Sequence, residues 1–321
     1  MGEFERIEQW FARPAHLQRQ RFGEHVSLLG IGDDCALLSN TDYIGQTLAV
    51  SSDMLVCGRH FAAETDPHAI GYKALAVNLS DLAAMGAQAH AFTLSLALDR
   101  AQDETWLAGF SQGLFALANT YRCELIGGDT TSGPLCISIT VIGLVPPTLA
   151  LRRDAAKPGD KVWVSGQLGA AAYALKYPGH SPDADERLHR PEPRLELGMA
   201  LRGLSECAMD LSDGLLGDIV HILDQSKVGV ALFADQMPWH PALAACEPHE
   251  RFSLALQGGD DYELLFTAKP QQTRNIQAIG EKLGIPLSCI GEIKADGQRQ
   301  LLDAAGSPIE IAFRGFDHFN P

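Results

Sequence analysis

Positive charge is scarce in this chain. Its 25 Lys and Arg stand against 40 Asp and Glu, a formal balance of −15 at pH 7. Neutralising nucleic-acid phosphates or an anionic lipid surface takes clustered cations, so neither nucleic acid nor membrane is an expected partner. Long apolar runs are missing as well: none reaches the ~18 residues that suggest a membrane span. The beginning, MGEFERIEQWF, carries Glu3 and Glu5 where a secretory leader would be basic, and Arg6 where a myristoylation signal needs Ser or Thr; it reads as a short amphipathic helix. There is no C-x-x-C pair. The seven cysteines (Cys35, Cys57, Cys123, Cys136, Cys207, Cys246 and Cys289) are odd in number and scattered, which argues against a disulfide framework or a zinc site and for a reducing cytoplasm.

What is present is an ordinary globular composition, 46% hydrophobic over 321 residues, enough for about two domains. Residues 47–56, 90–99 and 134–145 alternate or are β-branched and read as strands. Between the first two, Thr65 or Asp66 caps a helix, Pro67 fits its first turn and Gly86 ends it. A second helix spans about 103–120. The stretch VPPTLALRRDAAKPGD then marks a boundary near residue 148, giving domains 1–148 and 149–321. The second half continues with KVWVS and its following helix, ECAMD, a helix through GLLGDIVHILDQ, GVALFAD, YELLFTA and a helix near 271–284. Residues 177–194 read as a long surface connection. The mixture predicts an α/β (α+β) class with mixed sheets and flanking helices.

Carboxylates recur where predicted strands end or glycines turn the chain: Asp33 and Asp34, Asp53, Asp81, Asp129, Asp210 with Asp213, and Asp260, Asp261 and Glu263. Each alone is a common turn or cap residue. Asp81 differs, because Ile70, Ala74, Val77 and Asp81 share one helical face and the carboxylate therefore points inward. An inward carboxylate wants a metal, an Arg or a proton. Oxygen donors, with Ser51, Ser52, Thr130 and Thr131 close by and no His or Cys cluster, are hard ligands suited to magnesium. Magnesium usually serves phosphates, and Gly127, Gly128, Gly258 and Gly259 allow backbone amides to approach one. Neither a P-loop, a dinucleotide fingerprint nor a protein-kinase catalytic loop occurs, so any ATP site is of another kind. In MDLSDGLLGD, Ser212 or Asp213 is a candidate helix cap, and Asp218, one turn inside the helix, reads as solvated.

In their order, GIGDDCA, VSSDMLV followed by RHF, NLSDLAAMGA, LIGGDTT, RRDAAKPGDKVWVSG, LHRPEPR, MDLSDGL, GGDDYELLFT and GFDHF resemble the thiamine-monophosphate kinase family, within the superfamily of aminoimidazole ribonucleotide synthetase. The resemblance covers nearly the whole chain. It implies a two-domain ATP-binding fold, a homodimer formed by pairing of N-terminal sheets, and transfer of the ATP γ-phosphoryl group to thiamine monophosphate. It further implies a magnesium shell of Asp33, Ser51, Ser52, Asp53, Asp81, Asp129, Asp210 and Asp213. ATP contacts would come from Gly128, Asp129, Arg153 and Ser212, and thiamine-phosphate contacts from His60, Glu263 and Phe319. Where the family often has a Tyr near the nucleotide base, this chain has Ser111, with Phe110 beside it. The early Cys-Lys of selenophosphate synthetase and the terminal cysteine tail of the hydrogenase-maturation member are missing. A non-catalytic nucleotide or metal sensor, binding ATP without forming product, is the alternative of a different class.

Overall fold

Along CISITVIGLV every second residue is buried, with Ile137, Ile139, Val141 and Val145 on the inner side. Period two is the mark of a strand with one face on a core. This strand belongs to the first of two compact units of the computed structural model, which describes residues 8–22, 27–29, 37–38 and 44–315. The first unit comprises residues 1–82 and 87–147, the second 83–86 and 148–321.

In the first unit a π-helical turn at Glu8–Ala12 leads into α1 (Arg13–Phe22), followed by β1 (Ser27–Leu29), β2 (Leu37–Leu38), β3 (Thr47–Val56), α2 (Pro67–Ala84), β4 (Gln88–Leu98), α3 (Glu104–Thr120), β5 (Glu124–Ser132) and β6 (Cys136–Val145). The amphipathic helix expected at the amino end is thus a π turn where it is described; residues 1–7 lie outside the described part. The order β3-β6-β4-β5 makes a mixed four-stranded sheet in which β4 and β5 are parallel and the other pairs antiparallel. Helix α2 begins as expected, with Asp66 Oδ1 accepting from His68 N at 3.2 Å. Past its end, Gly86 N and Ala87 N return to Ala83 O and Leu82 O at 2.9 and 2.8 Å, the paired bonds of a Schellman stop. Asp103 caps α3 through Trp106 N.

The second unit contains β7 (Lys161–Ser165), α4 (Ala170–Lys176), α5 (Pro182–His189), α6 (Leu195–Ala200), β8 (Cys207–Asp210), α7 (Leu215–Ser226), β9 (Gly229–Phe233), α8 (Pro248–Leu256), β10 (Leu264–Ala268), α9 (Thr273–Leu283), β11 (Leu287–Lys294) and β12 (Arg299–Leu302). Its mixed six-stranded sheet runs β12-β9-β11-β7-β10-β8. Strand β10 is buried at all five residues, and its sequence LLFTA, apolar but for Thr267, suits an inner strand. Residues 177–194 are not a surface connection. Ser181 accepts from Ala184 N and Pro182 occupies the first turn of α5, whose Ala184 and Leu188, four apart, are buried. Among the described residues no helix is long and apolar enough to cross a membrane.

Candidate active site

Alternation along β3 separates residues that are adjacent in sequence. Ala49, Ser51, Asp53 and Leu55 turn inward, while Leu48, Val50, Ser52 and Met54 are exposed on the other side. Ser51 Oγ donates to Asp81 Oδ2 on α2, and the Asp53 backbone N–H donates to Asn78 Oδ1 one turn earlier on that helix, at 3.0 Å. Asn78, itself buried, spends its amide on Ala74 O at 2.9 Å. Ser51, Asp53 and Asp81 are therefore brought together, with Asp81 directed inward as its helical position predicts. The side chain of Ser52 is not among them: its hydroxyl donates to Ile139 O and accepts from Thr140 Oγ1, both at 3.0 Å. Burial, and then the charge of Asp81, push the Asp53 carboxyl up to about 6. Two anions are crowded here in a partly dehydrated place.

Asp129 lies at the far edge of the same sheet. Asp53, Ile139, Leu94 and Gly128 form one cross-strand row, which puts Asp129 roughly 14 Å from Asp53, three inter-strand spacings away. Asp129 is exposed. Gly128 before it, at φ +151°, cannot be replaced by a side chain: a Cβ there would lie 1.8 Å from Leu94 O. His60 follows the end of β3, its Nδ1 accepting from Val56 N at 3.0 Å, which puts the proton of the neutral ring on Nε2. Ser111 is buried and donates to Trp10 O, and Phe110 is stacked on Trp106 in the core, so neither offers a surface to a base.

In the second unit, backbone pairing builds the site. The LSDG turn after β8 and the GGDDYE turn before β10 bond to one another: Leu211 N to Glu263 O, Asp260 N to Ser212 O and Tyr262 N to Leu211 O, at 2.8–2.9 Å. Asp260 and Tyr262, at φ 70° and 49°, are held in the left-handed region, a strain that surrounding structure must impose. Gly315 packs against the other side of the turn, where an added Cβ would lie 2.4 Å from Asp213 O. Asp210, Ser212 and Asp213 are thus fixed at the start of α7.

Neither Ser212 nor Asp213 caps that helix. Gly214 is the N-cap, without a side-chain bond, and Asp218 Oδ2 reaches back to accept from Asp213 N at 3.1 Å. Asp218 is buried, not solvated; desolvation first, then the charges of Asp213 and Asp210, push it up to about 8. The neighbouring Asp261 accepts from Gly169 N at 2.9 Å, and burial raises its carboxyl well above the ordinary range.

Glu263, only 2% exposed, is the anchor of a buried ion pair. Arg194 holds both its oxygens, Nε to Oε2 at 2.8 Å and Nη2 to Oε1 at 2.6 Å, and Ser165 Oγ donates to Oε2. Burial works against the Arg194 charge, but the hydrogen bonds and charge of Glu263 more than reverse it and raise the guanidinium pKa. Sequence reading missed Arg194, which stands in the stretch taken for a loop. Arg153, in a 3₁₀ turn, gives its carbonyl to Ser226 Oγ at 2.8 Å and to Cys207 Sγ at 3.8 Å. It therefore sits beside the start of β8, whereas Ser212 lies beyond its end, roughly 16 Å of extended chain away.

Asp33 and Phe319 lie outside the described residues. Among the described residues no three Asp, Glu, His or Cys side chains converge as a preformed metal cluster. The arrangement offers two acidic sites, one on β3 and α2, one ahead of α7, both made of hard oxygen donors.

The family model for AIR synthase related protein, N-terminal domain, matches residues 32–145, and that for the C-terminal domain matches residues 157–303. The chain is similar to thiamine-monophosphate kinase of Escherichia coli K12, 43% identical over 328 residues that cover 99% of this chain and 98% of that one. It is similar in structure to thiamine-monophosphate kinase from Stenotrophomonas maltophilia K279a, with a TM-score of 0.84 and 42% identity, covering 92% of this chain and 96% of that one. A structure of AaThiL complexed with AMPPCP and TMP is 27% identical with a TM-score of 0.74, covering 97% and 98% of the two chains.

Proposed function

The chain belongs to the thiamine-monophosphate kinase family, and on that premise we propose that it transfers the γ-phosphoryl group of ATP to thiamine monophosphate, giving thiamine diphosphate, by direct in-line displacement. It is a kinase whose acceptor is itself a phosphate. The full-length likeness to enzymes of that name carries the assignment.

Magnesium fits the donors. Among the described residues the Asp53 side chain has neither ion pair nor hydrogen bond, and burial first, then the charge of Asp81, raise its carboxyl. Carboxylate and hydroxyl oxygens without imidazole or thiolate suit a hard divalent cation. Several ions would share the proposed shell, Ser51, Asp53 and Asp81 in one place and Asp129, Asp210 and Asp213 in others, with Asp33 as a further member and Ser52, whose hydroxyl is used on the opposite face, limited to its backbone oxygen. When bound, the ion neutralises charge between two anionic reactants and stabilises the charge of the transition state.

The protein's own residues have little covalent work to do. The acceptor phosphate is largely ionised at neutral pH, its second pKa being about 6, so no strong general base is required. We assign ATP contacts to Gly128, Asp129, Arg153 and Ser212. A Cβ at Gly128 would run into Leu94 O of β4, so only glycine allows the backbone conformation that carries Asp129 here. His60, with its proton on Nε2, can donate to substrate; Glu263 and Phe319 complete the proposed acceptor site. The rigid turn pairing around Ser212 and Asp213 supports alignment as the source of rate.

Measuring ADP release with each acceptor tests the reaction. Thiamine monophosphate should turn over, and free thiamine should give less than about 1% of that rate, because its hydroxyl is a far weaker acid and lacks the phosphate contacts. Equal rates would overturn the acceptor assignment.

We further propose a homodimer through the outer face of β3, which is at an edge of the described sheet. Leu48, Val50 and Met54 are 48, 62 and 56% exposed there, an apolar stripe interrupted only by Ser52 and of the kind that marks an interface. Val50→Glu should shift the chain from dimer to monomer in sedimentation at micromolar concentration; an unchanged dimer would place the interface elsewhere. The six described cysteines are free thiols, in keeping with the cytoplasm as the site of the reaction.

A further inference from the structure

Helix α5 carries a guanidinium whose environment is unlike that of its neighbours. Ala184 and Leu188 seat the helix, Ser181 caps it, and buried His240 holds its first turn through Nε2 to Asp183 Oδ2 at 2.7 Å. Arg187, three residues after Ala184, flanks that buried stripe. Its side chain is 37% exposed, and Nη1 stands 3.6 Å from Glu263 Oε1. That separation is too long for a hydrogen bond, and Arg187 makes none among the described residues. Its N–H donors open to solvent at the edge of this part-buried place, with no hydrogen-bond acceptor for them among the described residues.

The nearby acids are already engaged. Glu263 is matched by Arg194, Glu192 by Arg194 Nη1 at 2.7 Å, and Glu186 by Arg190 at 2.8 Å. Arg187 is therefore offset only by a long ion pair to a carboxylate that Arg194 already matches, although the chain as a whole is strongly acidic. Glu263, whose two oxygens are held by Arg194 and Ser165, is fixed in place, so its part in the acceptor site is to aim Arg187.

Resting on the kinase assignment above, we propose that Arg187 binds the phosphate of the acceptor and so distinguishes thiamine monophosphate from thiamine, with Glu263 as the positioning residue behind it. A guanidinium with unused donors matches the geometry of a phosphate oxygen pair, and a charge-assisted contact of this kind is strong.

The test is calorimetric binding of thiamine monophosphate and of thiamine to the full chain, wild type, Arg187→Ala and Arg187→Lys, with KM for ATP measured alongside. Arg187→Ala should weaken thiamine monophosphate by about tenfold or more, the worth of one charge-assisted hydrogen bond. Thiamine binding and the KM for ATP should move less than about twofold, and Lys should recover part of the loss by its charge. Should the Ala variant not fold, Arg187→Gln, which keeps a polar side chain at this half-exposed position, replaces it. Unchanged binding of thiamine monophosphate, or an equal loss for both ligands, would overturn the proposal. Failure of the wild type to phosphorylate thiamine monophosphate would overturn the kinase assignment instead, so the two can be told apart.

Discussion

Replacing Asp53 by Asn should leave a folded chain that withstands heat better than wild type in the presence of chelator, yet turns over at least about a hundredfold more slowly. The stability gain follows from the raised carboxyl. In the folded chain Asp53 titrates at about 6 against an ordinary value of 3.8, first because it is buried and second because Asp81 repels its charge. Between these two values the folded state holds more protons than the unfolded, so stability declines as pH rises from about 4 to about 6 and stays low above. At one pKa unit per ~1.4 kcal/mol, the cost at neutral pH is roughly 2–3 kcal/mol, and Asn removes it. The loss of turnover follows from the same charge, because a carboxylate ligand of a divalent ion cannot be replaced by an amide without weakening the site. Thermal melts at pH 4.5 and pH 7 with chelator, then with magnesium and ATP, check both halves. Asp53→Asn should lose less stability between the two pH values than wild type, the loss that remains coming from buried Asp218 and Asp261, and the variant should gain less from the ligands. Full turnover with an unchanged ligand-induced shift would remove Asp53 from the metal shell.

The second large effect is expected at Arg194. Arg194→Ala leaves the Glu263 carboxylate buried at 2% exposure without its bidentate partner, and breaking a buried pair from one side costs about 3–5 kcal/mol. Removing both charges, as in Arg194→Met with Glu263→Met, should cost less than the two single changes summed, since no ion is then stranded. Urea unfolding followed by a probe in the second unit, such as Trp163 fluorescence, measures the three variants. The bond from Arg194 to Glu192 adds little, because Glu192 is exposed and screened. An Arg194→Ala variant within about 1 kcal/mol of wild type would mean that the carboxylate finds other partners.

Periodicity made the first acidic site legible. Asp81 falls on the apolar stripe of α2, and the alternation of β3 turns Ser51 and Asp53 toward it. The same alternation sends Ser52 to the opposite face, which a motif read as the unit VSSDM does not reveal. Cap signals located α2 nearly to the residue, but the cap of α7 was misjudged. Gly214 takes the cap position, and the more distant Asp218 bonds back to the turn, which draws it into the core. Arg194 was illegible for a different reason. It is one of three arginines in ERLHRPEPR, and its partner lies 69 residues away in sequence; only the tertiary fold decides which guanidinium is buried. The helix within residues 177–194 was hidden by its polar composition, since two buried residues suffice to seat an eight-residue helix.

Strand β3 carries two incompatible faces in one ten-residue stretch: Ser51 and Asp53 inward beside Asp81, Leu48, Val50 and Met54 outward. Side chains alternate strictly, so gaining or losing a single residue within the strand turns every later side chain to the wrong face. With a residue gained before it, Val50 would occupy the place of Ser51, and Asp53 would join the apolar stripe. Point substitutions disturb one face at a time, whereas a change of length by one disturbs both together. In evolutionary terms β3 behaves as a reading frame: it can drift in composition, but its length within the sheet is locked.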